Sequence, residues 1–380
     1  MEPIHTAAMR RMSMSVACLF LAAACSDRNS SSGDKFPSDA SAAGAGTLPS
    51  DHGLAFVINT KDPSLTVVER STQAVVRTIE FPEHVGVEAG HFGALTKDGQ
   101  TLWLCSDLQN KTVQQGTMEV YETEQFTRIA SFDVGCGVQS SLSRDGRYLF
   151  ASSTKTNAIE VFDVASVAHI GRFDVASAPH VGDFSPDGTT YYTSNANGGR
   201  VLGFDTTVLP LNLPLPLVYD QALGPFMLHG IRMHPSGRYL FVGGGGFTRI
   251  IELAGQSVLF EFAGHPHNLA LSPDGNTLAI GDPNAQKLSL LNIATLNELT
   301  PSPTQITEFA TIMTPNYGVN HQSWDERTGK LWVTLGRTIP DDGRGQLWIV
   351  NTQVTPPVVE KSIQIGDGPH GILFAGRKCE

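Results

Sequence analysis

Five cysteines in 380 residues are not what holds this chain together, since a chain of that length buries a full core without a staple. No helical period persists, which argues against a bundle. Beyond residue 25 no apolar run approaches the length of a membrane span. Charged residues make up only 17%, and no basic stripe offsets the formal charge of −11, so a nucleic-acid backbone is excluded as a partner. The G-x-S-x-G elbow, the Walker loop and the H-E-x-x-H helix are all missing, and with them the usual hydrolase, nucleotide and zinc-protease chemistries. What the chain does have is 38 glycines and short runs of β-branched and aromatic residues, the composition of an all-β protein.

Residues 9–25, MRRMSMSVACLFLAAAC, join two arginines, a short apolar run and small residues ahead of a cysteine, the pattern of a secretory signal, with Met9 a candidate start. The segment Leu21-Ala22-Ala23-Ala24-Cys25 resembles a bacterial lipobox, although Ala22 stands where leucine is usual. That resemblance implies a lipid anchor on Cys25, and Ser26 after it suits outer-membrane sorting, so an exported lipoprotein facing the periplasm or the cell surface is expected. Residues 26–52, rich in Ser, Ala, Gly, Asp and Pro, are too polar to bury and form a flexible tether. A folded domain is expected over 53–380. In an oxidising compartment Cys105, Cys136 and Cys379 remain, and Cys105 with Cys136 is the expected disulfide because both fall in one repeat.

The domain is repetitive. Each unit opens with a short apolar run, passes a tight turn (TKDG, SRDG, SPDG or HPSG) and continues through three further β-rich segments. Seven opening strands begin near His91, Val138, His180, His229, His267, His321 and His370, and counting the three-strand sets also gives seven. The first set, residues 53–81, lacks an opening strand, while the last opening strand, PHGILFAGRKCE, lacks a continuation. Pairing the C-terminal strand with the N-terminal set closes a seven-bladed β-propeller and removes the open edges, and a monomer is expected. The recurring Pro-containing loop, SPDG turn and β-meander resemble the YVTN-type propeller repeat.

Five histidines, His91, His180, His229, His267 and His321, each stand eight residues before a turn glycine, and His370 opens the last strand in the same Pro-His-Gly manner. Chance would place about 0.2 histidine in seven such positions, given 12 in the chain. Only Val138 breaks the series. Rotation about a propeller axis would gather these imidazoles at one mouth of the channel, where they could hold copper or another transition metal, or one could ligate a haem-type tetrapyrrole lying over the mouth. The competing expectation is structural: histidines that staple blades in a non-catalytic binding scaffold. Strand alternation favours that second view, since it puts His229 on the face of Ile231 and Met233, between blades, and Asp183 and Arg232 on the opposite face. Met227 is then read as packing and His265 as an exposed loop residue, an extra ligand being the other option.

The Pro-His-Gly and SPDG constellation is similar to that of the propeller domain of nitrous oxide reductase, where histidines at strand starts hold a copper cluster. That resemblance implies His91, His180, His229, His267, His321 and His370 as metal ligands, with two departures: Val138 replaces one histidine, and no electron-entry copper domain is present. A redox role would then need a separate periplasmic partner protein. The haem-d domains of cytochrome cd-type nitrite reductases are a second resemblance. A lactonase-type hydrolase, with Asp183 and Arg232 in its site, stands third. The GGGG run at 243–246 is expected to be a loose loop between strands.

Overall fold

The structure, a computed structural model, describes residues 53–375 apart from 82–87, 108–115, 136, 138, 211 and 338–343, and no side chain of 88–92, 106, 107 or 337. The described chain forms seven four-stranded antiparallel sheets. Their inner strands are Glu88–Leu95, Ser140–Leu142, Pro179–Phe184, Leu228–Met233, Asn268–Leu271, Tyr317–Asp325 and Pro369–Phe374. Each inner strand neighbours the next all the way round, so the sheets are the blades of a closed seven-bladed propeller.

The closure has the form expected from the two incomplete repeats. Pro369–Phe374 pairs with Leu54–Asn59, with Ala55 opposite Phe374 and Val57 opposite Ile372, and Ser64–Glu69 and Ala74–Glu80 complete that blade. An arginine reinforces it. Arg70 donates from Nη1 to the Ala375 carbonyl at 2.8 Å, pairs through Nη2 with Asp325 of the preceding blade and lies 5.0 Å over the Phe374 ring. Side-chain exposure is only 5% for Arg70 and 0% for Asp325, so both charges depend on each other.

Burial follows position in the blade. Second strands such as Leu54–Asn59, Tyr148–Ser153 and Tyr239–Gly244 are buried along their whole length, whereas the outer strand Val358–Ile365 alternates. The result is seven hydrophobic clusters, each shared by two adjacent blades. In one of them Phe150 meets Phe184 at 5.0 Å and Tyr191 at 4.7 Å between ring centroids.

The repeated turn has a common chemistry. In SPDG, the Gly188 N–H donates to the Ser185 carbonyl at 2.9 Å with Gly188 at φ 72°, a conformation costly for any residue with a Cβ. Ser185 Oγ donates to Asp187 and accepts the Thr190 N–H, which joins the turn to the following strand. In HPSG, the His234 ring replaces that serine: Nδ1 meets Ser236 Oγ at 2.8 Å, and Nε2 donates to the Gly275 carbonyl of the next blade at 3.3 Å.

Candidate functional site

The histidines stand where the inner-strand ladders slip. Leu228 and Gly230 face Gly244 and Gly243, so His229 is an additional residue on its strand. Pro179 and Gly182 face Asn195 and Thr193, and Pro369 and Ile372 face Asn59 and Val57, with the same surplus of one. Before Asn268–Leu271, the His267 N–H donates to the Gly281 carbonyl at 3.2 Å although Asn268 is the residue paired with Gly281. A β-bulge of this kind turns a side chain out of the alternating pattern.

That turn decides where the imidazoles point. Ile231 and Met233 pack in the cluster between blades, as alternation requires, but His180, His229 and His370 are each partly exposed between buried neighbours. Their open side is the channel. The same phase recurs three residues on, so Asp183 and Arg232 share the channel side with the histidines and do not lie opposite them.

Four imidazoles meet in an arc, two of the contacts edge to face and the His229–His267 contact tilted. Ring centroids are 4.9 Å apart for His180 and His229, 5.6 Å for His229 and His267, and 5.7 Å for His267 and His370. His321 belongs to the arc by sequence spacing but not by position. In its blade the turn is one residue longer: the Gly329 N–H reaches back to the Asp325 carbonyl, four residues away, where the Gly188 N–H reaches three. Asn320 is the bulged residue there and stands in register with the other histidines, while His321, 3% exposed, sits behind the layer. His91 lies in Glu88–Leu95, but its side chain, like Val138, falls outside the described residues.

The hydrogen bonds of His180, His267 and Asn320 run from blade to blade, and that of His370 stays within its own blade. His180 Nδ1 donates to the His229 carbonyl at 3.1 Å, and His267 Nδ1 donates to the carbonyl of Asn320, the equivalent residue of the next blade, at 3.0 Å. Asn320 continues the series by donating its amide to the Pro369 carbonyl at 2.9 Å, and His370 Nδ1 donates to the Gly368 carbonyl at 2.9 Å. A carbonyl can only accept, so each of these rings carries its proton on Nδ1, and in the neutral ring the lone pair is on Nε2. His229 differs: its Nδ1 is buried with no hydrogen-bond partner among the described residues.

Burial disfavours the charged form of His229, His267 and His321. The His229 pKa is brought down to about 4, by desolvation first and then by the nearby His267. Desolvation likewise lowers His267, against the opposing bond to Asn320. His321 lies well below its ordinary value because it is desolvated and because Arg232, His370 and His267 all oppose a proton there. Neutral imidazoles with Nε2 lone pairs can ligate a metal or accept a hydrogen bond. Among the described residues, however, no three His, Cys, Asp or Glu side chains converge closely enough to share an ion.

The rim holds residues that the sequence placed differently or left open. Met227, expected to pack, is 52% exposed beside the histidine layer, and His265 is exposed as a loop residue. The GGGG run is a tight hairpin instead of a loose loop, with φ of 144°, 64° and 90° at Gly244, Gly245 and Gly246. A Cβ on Gly244 would lie 2.2 Å from the Met227 carbonyl oxygen, and one on Gly245 would lie 2.4 Å from Phe226 Cβ. Asp183, the carboxylate of the lactonase reading, accepts from Arg144 Nη2 at 2.9 Å and from the Met233 N–H at 3.0 Å. Those bonds tie it into the blade contacts. Cys105 is buried and disulfide-bonded, and every other cysteine lies outside the described residues.

No known family and no curated protein matches the chain. Solved structures do resemble it. Hydrazine synthase of Kuenenia stuttgartiensis superposes with a TM-score of 0.59 at 20% identity over 75% of this chain and 95% of that one. A putative 6-phosphogluconolactonase of Bacteroides fragilis gives 0.64 at 13% identity, covering 86% and 98%. The dihydro-haem d1 dehydrogenase NirN, solved in complex with DHE, gives 0.58 at 14% identity, covering 88% and 77%. At such identities the likeness is one of fold. A propeller hosts many chemistries, and the site has to be argued from its own residues.

Proposed function

We propose that this chain is an exported lipoprotein whose histidine-lined channel mouth binds a transition metal held in its own planar ligand, a haem-type tetrapyrrole. The observation that carries the reading is the recurring bulge that turns His180, His229 and His370 to the channel, together with the Nδ1–H bonds that leave Nε2 as the basic nitrogen of His180, His267 and His370. Second-partner bonding of this type orients a metal-ligating imidazole and raises its basicity. Because no three donors converge among the described residues, a ligand frame that brings its own equatorial donors fits this layer better than a bare ion. One imidazole on its open face is then enough. When bound, such a group supplies redox or ligand-binding chemistry at its metal, and the protein's part is to hold, orient and shield it.

A bare copper ion is the second reading, supported by the imidazole donors and by the exposed thioether of Met227 two residues before His229. Its ligands would come from His91, His180, His229, His267, His321 and His370, the placement resembling nitrous oxide reductase. The scaffold reading is supported by the same inter-blade hydrogen bonds that fix the tautomers, and a YVTN-type binding role follows from it. Lipidation at Cys25, a periplasm-facing or cell-surface position and a separate redox partner belong to this proposal. The disulfide of Cys105 suits an oxidising compartment.

The test is to titrate the full-length protein, stripped with chelator, separately with ferric protoporphyrin and with cupric ion, following absorption and metal content. Stoichiometric porphyrin uptake with a shifted Soret band, lost on replacing His180 and His229 together, is the expected result. Copper uptake without porphyrin uptake would move the assignment to the second reading. A folded protein that takes up neither leaves the histidines as blade staples and overturns the proposal.

A further inference from the structure

On the solvent side of the histidine layer the rim of the mouth is uneven. Two residues before His180, His229, His267, Asn320 and His370 stand Ala178, Met227, His265, Gly318 and Gly368. Three of these positions carry little or no side chain: Ala178 is buried, and a Cβ on Gly318 would lie 3.0 Å from Pro283 Cβ. Of these five blades, only the two that carry Met227 and His265 raise a side chain at the rim. Those blades are neighbours, and both residues are exposed.

The raised side is held in place. The hairpin of Gly244, Gly245 and Gly246 lies between the two residues, against the Met227 carbonyl at one end, while at the other a Cβ on Gly246 would lie 3.6 Å from His265 Cε1. The His265 N–H donates to Asp282 Oδ2 at 2.8 Å. On the other flank Phe226 and Phe247 meet edge to face at 6.4 Å, and Arg249 lies 5.1 and 5.5 Å over the two rings while donating from Nη1 to the Leu223 carbonyl at 2.6 Å. A clamped segment thus holds a large apolar side chain out in water. Covering that side chain removes apolar surface from water with little further ordering of the chain.

We propose that Met227, flanked by His265, is a one-sided wall that receives the apolar edge of the planar ligand and leaves the side of Gly318 and Gly368 as its way in. A thioether suits this contact, being unbranched, adaptable and attracted to the edge of an aromatic ring system. With a wall on one side and glycines on the other, a disc-shaped ligand has one preferred placement over the layer. The inference takes the ligand's shape and place from the proposed function, but it needs no bond to a metal.

Full-length protein is titrated with metal-free protoporphyrin, followed by fluorescence, and separately with ferric protoporphyrin, followed by its Soret band. Metal-free binding weakened about tenfold in Met227→Ser, and further when His265→Ser is added, is expected. Met227→Leu should restore most of the affinity, and Met313→Ser should not change it, since Met313 is as exposed but lies on the outer strand Thr307–Met313. Circular dichroism checks that each variant is folded. Equal metal-free binding by the wild type and Met227→Ser overturns the proposal, as does an equal loss in Met227→Leu or in Met313→Ser. Binding of neither porphyrin overturns both the wall and the reading it rests on. Metal-free binding that depends on Met227, with ferric binding no tighter and its Soret band unshifted, removes the metal-ligand reading and leaves the wall standing.

Discussion

Replacing His267 by asparagine, compared with replacing it by alanine, separates the two duties of one ring. The asparagine amide lies near the place of Nδ1, so His267→Asn can still donate to the Asn320 carbonyl, a bond now made at 3.0 Å, but it has nothing where Nε2 was. Alanine removes both. An abandoned buried carbonyl costs about 1–3 kcal/mol, and the ring's lost burial adds to that, so His267→Ala should be destabilised by about 2–4 kcal/mol. His267→Asn should lose about 1 kcal/mol, mostly packing against His229 and His370 at 5.6 and 5.7 Å. The molecule has already made this exchange once, since Asn320 occupies the ring position of its own blade and donates to Pro369. Urea midpoints give the stabilities, and porphyrin or copper titration gives the ligand affinity. If His267→Asn proves as unstable as His267→Ala, the staple geometry is wrong. If it is stable and binds as tightly as the wild type, Nε2 of His267 is not a ligand.

Acid should weaken the fold through the same layer. His229 titrates near 4 when folded and near 6.5 when unfolded. The stabilisation is complete above the unfolded value and is lost as pH falls towards the folded one, because only the unfolded chain takes up the proton. At about 1.4 kcal/mol per pH unit, roughly 2–3 kcal/mol from His229 disappears between pH 6.5 and 4. His267 and His321 add to this in the same direction. A urea midpoint that stays flat from pH 7 to 4.5 would contradict it. At the closure, Arg70→Met or Asp325→Leu alone should cost about 3–5 kcal/mol by stranding a buried partner. The double replacement Arg70→Met with Asp325→Leu should recover most of that loss in a double-mutant cycle, and an additive result would show that the pair is not coupled.

The fold was legible because its signals are local and repeated. The Asp-Gly and Ser-Gly turns punctuate five of the seven blades, and the two unfinished repeats at 53–81 and 369–374 could only complete each other. The site was legible in part. A regular histidine spacing pointed to one end of the channel, and His180, His229, His267 and His370 do come together there. Alternation nevertheless gave the wrong face, because a bulge has no sequence signature of its own and resets the phase at the histidine. His321 was drawn into the series by counting from Gly329 through a turn one residue longer than its counterparts. Aligning Asn320, Ser323 and Trp324 with His180, Asp183 and Phe184 would have exposed the slip. Met227 was read as packing because a lone methionine in sequence carries no mark of exposure.

His370 lies on the strand that closes the ring, and its neighbour in the arc, His267, lies more than a hundred residues earlier. During synthesis the strand Leu54–Asn59 must therefore wait, with one edge unsatisfied, until Pro369–Phe374 has appeared. A chain truncated before residue 369 lacks both its last seam and the last imidazole of the arc. Sealing the ring and completing the arc of imidazoles are thus a single event.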